Sequence, residues 1–329
     1  MSIVPKDSEA AGPAHFLIRP EWWSSPRDDR PGSLTENVDR AVKRMGSSAF
    51  RLLGAATARY RPDPDFLVIG AKRGGTTSLY YDILTIPSVL TLFPSARWLP
   101  KANETKGTHF FDSNYFRGEA WYRSHLPSQW ARRRGAVATA GRVVVGEASP
   151  YYLFHPLAAE RAAVTVPDVK LIAILRDPVM RSYSHWKERR RNNAEALPFP
   201  DAIAAEGVRL AGEEERLRSD PRYRSYPHEQ QSYVAQSRYA RSLRPWLERF
   251  GRDRLLVLIS EEYYENPGAT LAQVADFLGV ARPRIGVGRH MNAAAGADLD
   301  PEIRAELRTL FDPDVRELED LLGRSLPWR

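Results

Sequence analysis

The residues of this 329-residue chain whose types and spacing best suit chemistry lie between Phe66 and Leu79. An apolar run from Phe66 to Ile69 is followed by Gly-Ala-Lys-Arg-Gly-Gly-Thr-Thr-Ser. A buried strand that passes through glycines into the start of a helix points several backbone N–H groups at one spot, where the helix dipole also favours negative charge. Lys72 and Arg73 add full positive charges there. The sequence therefore predicts an anion site, and phosphate is the anion that it suits best.

The kind of phosphate ligand follows from a mismatch with the loop that binds nucleoside triphosphates. That loop reads G-x-x-x-x-G-K-[ST], with a lysine after the second glycine. Gly70 and Gly75 have this spacing, but Thr76 stands at the position of the lysine, and Arg73 is the basic residue at the crown of the loop. A metal-free site for a smaller phosphate group therefore fits better than a triphosphate–Mg²⁺ site. An ordinary Gly-rich turn is the alternative, because short glycine motifs also occur by chance.

A second candidate anion site follows a later apolar run. The run Lys170–Leu175 passes directly into Arg176, Asp177 and Pro178, and Ser184 lies about two turns into the segment of helical pattern that follows. Ligands of parallel sheets bind beyond the carboxyl ends of the strands, so Arg176 and Ser184 can reach the same crevice as the first loop. Two such sites predict a ligand with two separate phosphates. The alternative is an Arg176–Asp177 ion pair that caps the helix.

The elements that must position these residues form an α/β pattern. Short runs rich in Val, Ile and Leu, typical of strands covered on both faces, alternate with segments of helical periodicity. Strands are predicted at 66–69, 143–145, 169–175 and 255–259, and helices at 179–192, 200–217, 230–250, 268–278 and 301–322. This order predicts a three-layer α/β/α domain with a central parallel sheet and a P-loop-like turn. We place it at residues 65–329, after an N-terminal arm and helix at residues 1–64.

Composition limits the classes of partner. The chain has 48 Lys+Arg against 41 Asp+Glu, a formal charge of +7 and a pI near 9.6. This balance suits an anionic ligand, but the basic residues are dispersed, so we predict no nucleic-acid partner. The lack of cysteine excludes disulfides and thiolate metal sites, and we predict no metal. No apolar stretch reaches the length of a membrane span and the N-terminus does not read as a signal peptide, so we expect a cytoplasmic protein with at most peripheral membrane contact.

The ordered set of motifs resembles the PAPS-dependent sulfotransferases of the heparan-sulfate type, where PAPS is 3′-phosphoadenosine 5′-phosphosulfate. The 5′-phosphosulfate loop of that family resembles Ala71–Leu79. Its 3′-phosphate element resembles Leu175–Ser184, with Arg and Ser at the same eight-residue separation. Further similar stretches are Thr108–Asp112, Trp121–Arg123, Gly146–Tyr152, Tyr239–Trp246, Leu321–Arg324 and Trp328. The resemblance covers about residues 65–329, and the Ala- and Arg-rich composition indicates a bacterial source.

The resemblance implies PAPS as the sulfuryl donor and a set of residues that bind it. The matching positions are, for the 5′-phosphosulfate, Lys72, Arg73, Gly74, Gly75, Thr76, Thr77 and Ser78; for the 3′-phosphate, Arg176 and Ser184; and for a late loop that closes over the nucleotide, Gly288, Arg289 and His290. The disulfide-bearing hairpin that precedes this late loop in animal members is missing from this sequence, in agreement with its lack of cysteine.

Arg73 is the first catalytic candidate. Sulfuryl transfer needs an acceptor oxygen in line with the leaving phosphate oxygen, so positioning and charge stabilisation should do most of the work, by analogy with phosphoryl transfer. The family usually has lysine at this position. Arginine keeps the charge that stabilises the departing nucleotide but does not readily release a proton, so we expect charge stabilisation and no general-acid role.

The general base is where the sequence departs from the heparan-sulfate-type pattern. The glutamate two residues before the His of His-Phe-Phe-Asp is replaced by Gly107, and the lysine after the glutamate of Glu-x-[ST]-Pro is replaced by Ala148. His109 is the first candidate, because an imidazole with a pKa of about 6.5 accepts a proton at neutral pH. Glu147 is the alternative, and Glu104 would need a different loop path. Structural roles for His109 and Glu147 stay open.

The predicted activity is transfer of the sulfuryl group of PAPS to a hydroxyl of a carbohydrate, a glycolipid or a secondary metabolite. One alternative is a nucleotide-dependent small-molecule kinase, against which the missing lysine at Thr76 argues. Another is a non-catalytic nucleotide- or glycan-binding protein, which the missing glutamate at Gly107 keeps open. The pattern leaves the acceptor and the oligomeric state undetermined.

Overall fold

A parallel sheet forms the centre of the protein, seen in a computed structural model that describes residues 50–94, 106–282 and 299–328. Within these ranges the strands are β1 Phe66–Gly70, β2 Val89–Leu90, β3 Val144–Ala148, β4 Lys170–Leu175 and β5 Leu255–Ile259. They are hydrogen-bonded in the order β2-β3-β1-β4-β5, and every pairing is parallel. The predicted parallel sheet is confirmed. The two-residue strand β2 was not predicted.

Strand β1 lies at the centre of the sheet, between β3 and β4. Leu67 is in register with Glu147 of β3 on one side and with Leu171 of β4 on the other. The chain therefore leaves β1 toward one half of the sheet and later returns to the opposite half. Such a change of direction opens a crevice at the carboxyl ends of the strands, which is where ligands bind in this class of fold. The Gly-rich turn after Gly70 lies at this point.

Helices cover both faces of the sheet. Residues 50–56 are helical, Phe110–Asn114 forms a π-helical turn, and short 3₁₀ turns join other elements. The α-helices in the described ranges are α1 Thr76–Ile83, α2 Glu119–Arg123, α3 Gln129–Thr139, α4 Ala158–Thr165, α5 Pro178–Arg191, α6 Phe199–Ala204, α7 Glu206–Leu210, α8 Glu213–Ser219, α9 Tyr226–Gln230, α10 Tyr239–Phe250, α11 Ser260–Glu265, α12 Pro267–Leu278 and α13 Pro301–Leu322.

Two hydrophobic layers hold these helices against the sheet. Side chains alternate between the faces of a strand. Phe66 and Val68 accordingly pack in the layer that contains α1 and α12. Leu67 and Ile69 pack in the layer that contains α4, α10 and α13. This arrangement confirms the predicted three-layer α/β/α fold.

Two predicted helices are shorter or more divided than their periodicity indicates. The predicted helix 200–217 is split into α6, α7 and α8, and Gly212 before α8 has a left-handed φ of 74°. The predicted helix 230–250 begins only at Tyr239. The preceding backbone is held by tertiary contacts, because Glu206 accepts hydrogen bonds from the N–H groups of Val234 and Ala235 at 2.8 and 2.7 Å. Tertiary contacts override local helical preference at this segment.

The described residues before β1 pack against the same body. Arg51 donates to the carbonyl of Ser124 at 2.9 Å, and buried Arg61 donates to the carbonyl of Leu126. Residues 1–49 of the predicted N-terminal arm lie outside the described residues. In the part of the chain that is described, no helix combines the length and the hydrophobicity needed to span a membrane.

Candidate active site

The Gly-rich loop after β1 crosses closely over the end of β4. The N–H of Ala71 donates to the carbonyl of Ile174 at 2.9 Å, and a Cβ at Gly74 would lie 2.5 Å from that same oxygen. Gly75 has a φ of 100° and ends the loop at the first residue before α1, where a residue with a Cβ would be strained. Both glycines are therefore required by the backbone path, which brings the N-terminus of α1 to the crevice.

A cleft opens above this loop. It is lined by every predicted donor-binding residue in the described ranges except Gly74, which lies behind it. Gly288, Arg289 and His290, together with Glu104, lie outside the described residues. Further residues that line the cleft, and that were not predicted, are Lys106, Pro150, Glu188, Ser260 and Tyr264.

The two predicted anion sites meet in this cleft. Arg73 donates from Nε and Nη2 to Oγ of Ser184, each at 3.3 Å. Arg176 lines the same cleft. Asp177 does not need Arg176 to cap the helix, because its carboxylate accepts hydrogen bonds from the N–H groups of Val179 and Met180 at the start of α5. The alternative of a capping Arg176–Asp177 ion pair is not what the described contacts show.

Hydrogen bonds hold both the side-chain amine and the backbone carbonyl of Lys72. Its Nζ lies 2.8 Å from Oε1 of Gln230 and 3.3 Å from Oε1 of Glu229. Its carbonyl oxygen accepts a hydrogen bond from Nε of Arg181 at 2.9 Å. Burial lowers the pKa of Lys72, and Glu229 opposes this effect. The loop is thus attached to α5 and to the end of α9.

Lys106 is the cation among the cleft residues that sequence reasoning missed. Its Nζ donates to Oγ1 of Thr77 at 2.7 Å and to Oγ1 of Thr76 at 3.3 Å, at the start of α1. Burial, followed by the nearby charges of Arg73 and Lys72, lowers the pKa of Lys106 to about 8. The one available signal was its place directly before the Gly-Thr-His-Phe-Phe stretch. An ammonium group at this position adds to the positive potential of the cleft.

Glu147 occupies the end of β3 and is fully buried. Its Oε2 accepts hydrogen bonds from the N–H of Thr108 and from Oγ of Ser149, both at 2.7 Å. Its Oε1 accepts from Oγ1 of Thr108 at 2.8 Å and from Oη of Tyr152 at 2.7 Å. Burial raises the pKa of Glu147, although these hydrogen bonds oppose the shift. The carboxylate holds the backbone of the His109 loop in place and does not line the cleft.

His109 is paired with a buried carboxylate. Its Nδ1 lies 2.8 Å from Oδ2 of Asp112, and 43% of its side chain is exposed. Burial lowers the pKa of His109, but the charge and hydrogen bond of Asp112 outweigh it and raise the pKa to about 9. The ring is therefore an imidazolium at neutral pH, which suits an electrostatic role better than proton abstraction.

The comparisons with known proteins identify the family. The family model of the sulfotransferase domain matches residues 63–285. The chain belongs to the sulfotransferase family. It is 31% identical to the human bifunctional heparan sulfate N-deacetylase/N-sulfotransferase 3 over 221 residues. This match covers 66% of this chain and 22% of that protein. It is 26% identical over 329 residues to the mouse heparan sulfate glucosamine 3-O-sulfotransferase 3A1, across 93% of this chain and 70% of that protein.

A solved structure agrees with this assignment. The sulfotransferase from Alicyclobacillus acidocaldarius superposes with a TM-score of 0.56 at 28% identity, over 80% of this chain and 98% of that one. The predicted family and the predicted fold are confirmed. This sulfotransferase spans about a fifth of the length of the N-deacetylase/N-sulfotransferase that it matches.

The residues of the cleft fit a bisphosphate nucleotide donor. Guanidinium, ammonium and hydroxyl groups line the cleft and can donate hydrogen bonds to phosphate and sulfate oxygens, beside the N-terminus of α1. Among the described residues, no group of three or more His, Asp or Glu side chains is arranged to hold a metal ion.

Gly107 explains why this sulfotransferase lacks the glutamate of the heparan-sulfate-type pattern. A Cβ at this position would lie 2.3 Å from the carbonyl oxygen of Ala148 and 2.4 Å from Oγ of Ser149. Real Cβ atoms do not approach a backbone oxygen so closely. The backbone path of the loop therefore leaves no space for any side chain at position 107.

Proposed function

We propose that this sulfotransferase transfers the sulfuryl group of PAPS to a hydroxyl group of a carbohydrate, a glycolipid or a secondary metabolite. The observation that carries the proposal is the contact between Arg73 of the Gly-rich loop and Ser184 of α5, with Arg176 in the same cleft. A nucleotide with phosphates at both ends of its ribose needs two such anion sites side by side. The heparan sulfate relatives support a carbohydrate acceptor.

Each donor-binding residue has a proposed role. The loop residues Lys72 to Ser78, with Gly74 and Gly75 giving close backbone approach, bind the 5′-phosphosulfate. Arg176 and Ser184 bind the 3′-phosphate, and the loop with Gly288, Arg289 and His290 closes over the nucleotide. PAPS supplies the sulfuryl group when bound. Arg73, with Lys106 beside it, stabilises the negative charge that develops on the departing nucleotide.

The proton of the acceptor hydroxyl has three candidate bases. His109 is held as an imidazolium by Asp112, so we propose an electrostatic role for it. Glu147 has four hydrogen-bond donors around it and no exposure, so we propose that it positions its loop. Glu188 differs from Glu147 in that it lines the cleft, where Nε of Arg189 donates to its Oε2 at 2.6 Å and Nδ2 of Asn192 donates to its Oε1 at 2.8 Å. Burial raises the pKa of Glu188, but Arg189 outweighs this effect and lowers it, so the carboxylate is ionised at neutral pH. We propose Glu188 as the base.

Turnover of a Glu188 variant tests this assignment. Transfer of labelled sulfate to a panel of glycan and small hydroxyl acceptors should fall about 100-fold in Glu188→Gln, as loss of a general base does. Nucleotide affinity should stay within about threefold. Turnover of Glu188→Gln within about threefold of wild type would contradict the assignment of Glu188 as the base.

Binding calorimetry tests the proposed donor before any acceptor is known. Adenosine 3′,5′-bisphosphate should bind without metal, with micromolar or tighter affinity, and Arg176→Ala should abolish that binding. ATP–Mg²⁺ is the matched competitor for the kinase alternative. Preference for ATP–Mg²⁺ over the bisphosphate would contradict the proposed donor and revive a kinase. Bisphosphate binding without transfer to any acceptor would favour a non-catalytic nucleotide-binding protein.

The remaining features belong to the same proposal. We propose that transfer needs no metal, that the protein binds no nucleic acid, and that it acts in the cytoplasm with at most peripheral membrane contact. Its lack of cysteine and its dispersed basic residues support this setting. We also propose a division into an arm at 1–64 and a catalytic domain at 65–329. Activity in EDTA tests whether transfer needs a metal, and fractionation of the source cells tests the cytoplasmic location.

A further inference from the structure

Arg181 of α5 lies fully buried directly behind the Gly-rich loop. Its Nε donates to the carbonyl of Lys72 at 2.9 Å. Its Nη1 donates to the carbonyl of Tyr233 at 2.8 Å and to Oγ of Ser237 at 3.1 Å, and its Nη2 donates to Oε1 of Gln236 at 3.1 Å. One guanidinium thus joins three parts of the cleft wall: the loop, the helix that carries Ser184, and the segment that follows α9.

The hydrogen-bond partners of the Arg181 guanidinium are all neutral groups. Its Nη2 also lies 2.9 Å from Nδ1 of His185. Burial, followed by the charge of Arg181, lowers the pKa of His185 well below its usual range, so this ring is neutral and accepts the hydrogen bond. Among the described residues no carboxylate lies within ion-pair distance of Arg181. A buried cation without a carboxylate is costly to stability, so Arg181 depends on these hydrogen bonds to keep its place.

The position of Arg181 decides where the Lys72 carbonyl points. Because the guanidinium is completely buried, a carbonyl that accepts its hydrogen bond is directed into the core and away from the cleft. A carbonyl directed into the cleft would place a negative dipole against the anionic donor. The ammonium of Lys72 is held by Glu229 and Gln230, which precede the segment that Arg181 binds.

We propose that Arg181 is a positioning residue of the donor site: it holds the Lys72 carbonyl in the core and locks the Gly-rich loop to α5, so that the loop binds the 5′-phosphate end of the nucleotide. The proposal rests on the proposed function. Because Arg181 holds the loop and not the side chains that bind the 3′-phosphate, its loss should weaken binding of the 5′-phosphate end of the nucleotide only. A residue that only stabilised the fold would weaken both ends alike.

Calorimetry with two nucleotides tests this distinction. Adenosine 3′,5′-bisphosphate needs both anion sites, whereas adenosine 3′-monophosphate needs only the one at Arg176 and Ser184. Arg181→Lys and Arg181→Gln should weaken bisphosphate binding about tenfold or more, because they lose the hydrogen bond that fixes the loop. Their affinity for the 3′-monophosphate should stay within about threefold of wild type.

Arg161 provides a matched control. It is 7% exposed and donates to the carbonyls of Phe111 and Asp112 at 2.9 and 2.8 Å, with no described contact to the loop. Arg161→Lys and Arg161→Gln remove a similar buried guanidinium and should leave the affinity for both nucleotides within about threefold. Urea unfolding of all four variants shows whether the losses of stability are comparable.

Three results would overturn the inference. They are unchanged bisphosphate binding in the Arg181 variants, an equal loss for both nucleotides, or an equal loss in the Arg161 variants. A wild-type protein that does not bind the bisphosphate would contradict the proposed function instead. If the Arg181 variants do not fold, hydrogen exchange of the wild type replaces them. The bisphosphate should protect amides 72–75 and 233–237 together, and protection of the loop alone would overturn the link.

Discussion

Lys106 should make donor binding depend on pH in a range where the nucleotide itself does not titrate. In the free protein its pKa is lowered to about 8 by burial and by the charges of Arg73 and Lys72. A bound phosphosulfate or 5′-phosphate favours the ammonium form, so binding raises this pKa and takes up a proton. The second pKa of a phosphate is about 6, so the bisphosphate keeps its charge above neutral pH.

The size of the effect follows from linkage. We take the pKa of Lys106 in the complex to lie well above 9, so that only the protonated free protein binds the nucleotide. The dissociation constant is then multiplied by one over the fraction of free protein in which Lys106 is protonated. That factor is about 1.1 at pH 7 and about 11 at pH 9, so affinity should fall about tenfold between these values. Near pH 9, binding should take up about 0.9 proton per nucleotide. Affinity is therefore strongest below pH 7 to 8 and weakens as the pH rises through 8.

Calorimetry of adenosine 3′,5′-bisphosphate in buffers of different ionisation enthalpy measures both quantities. Lys106→Arg keeps its charge at every pH of the titration and should remove most of the slope, while Lys106→Met should bind more weakly at pH 7 and also lose the slope. His109→Gln is the control, because His109 has a pKa of about 9 and titrates in the same range. An equal pH dependence of the affinity in wild type and Lys106→Arg would refute the reasoning. Loss of the pH dependence in His109→Gln would show that His109, and not Lys106, causes it.

Three further predictions concern the loop that carries His109. Although burial lowers the pKa of His109, Asp112 raises it to about 9, so the pair stabilises the fold below about pH 6.5 and this contribution is lost as pH rises through 9. Urea unfolding should show a fall of about 1–2 kcal/mol over this range, allowing for the exposure of the ring, and no such fall in His109→Gln. Gly107→Ala should cost about 2–3 kcal/mol because its Cβ meets the Ala148 carbonyl, and a variant as stable as wild type would show that the loop can shift. Glu147→Gln should lower the free energy of unfolding in urea by about 2–4 kcal/mol, because its amide NH₂ would face hydrogen-bond donors, and a variant as stable as wild type would contradict this role.

The parts of the site that local pattern could predict are those built from contiguous residues. The loop from Lys72 to Ser78 follows a strand and begins a helix, so glycine spacing and apolar runs were enough to place it at the carboxyl edge of the sheet. Arg176 and Ser184 were placed for the same reason. Strands β1 and β4 and helix α5, which carry or flank these residues, lie within two residues of their predicted bounds. The structure brings Arg73 of the loop into contact with Ser184 of α5.

The parts that sequence reasoning missed depend on contacts between distant segments. Lys106 reaches Thr77 across 29 residues of chain, and Arg181 reaches Lys72 across 109. In the sequence, Arg181 is one of several basic residues of an amphipathic helix, and nothing local marks it as buried. The ordinary pKa of an isolated imidazole made His109 a candidate base, whereas a π-helical turn brings Asp112 onto its ring and reverses that expectation.

The two departures from the heparan-sulfate-type pattern, Gly107 and Ala148, lie against each other. The carbonyl oxygen of Ala148 occupies the space that a side chain at Gly107 would need, and the N–H of Ala148 donates to the carbonyl of Lys106 at 2.7 Å. Residues 106–108 therefore extend the hydrogen bonding at the end of β3, with Glu147 binding Thr108 beside them. A glutamate at position 107 would break this docking. The same docking brings the Lys106 amine to the start of α1, so the backbone path that leaves no space for a carboxylate at position 107 also places a cation in the donor cleft.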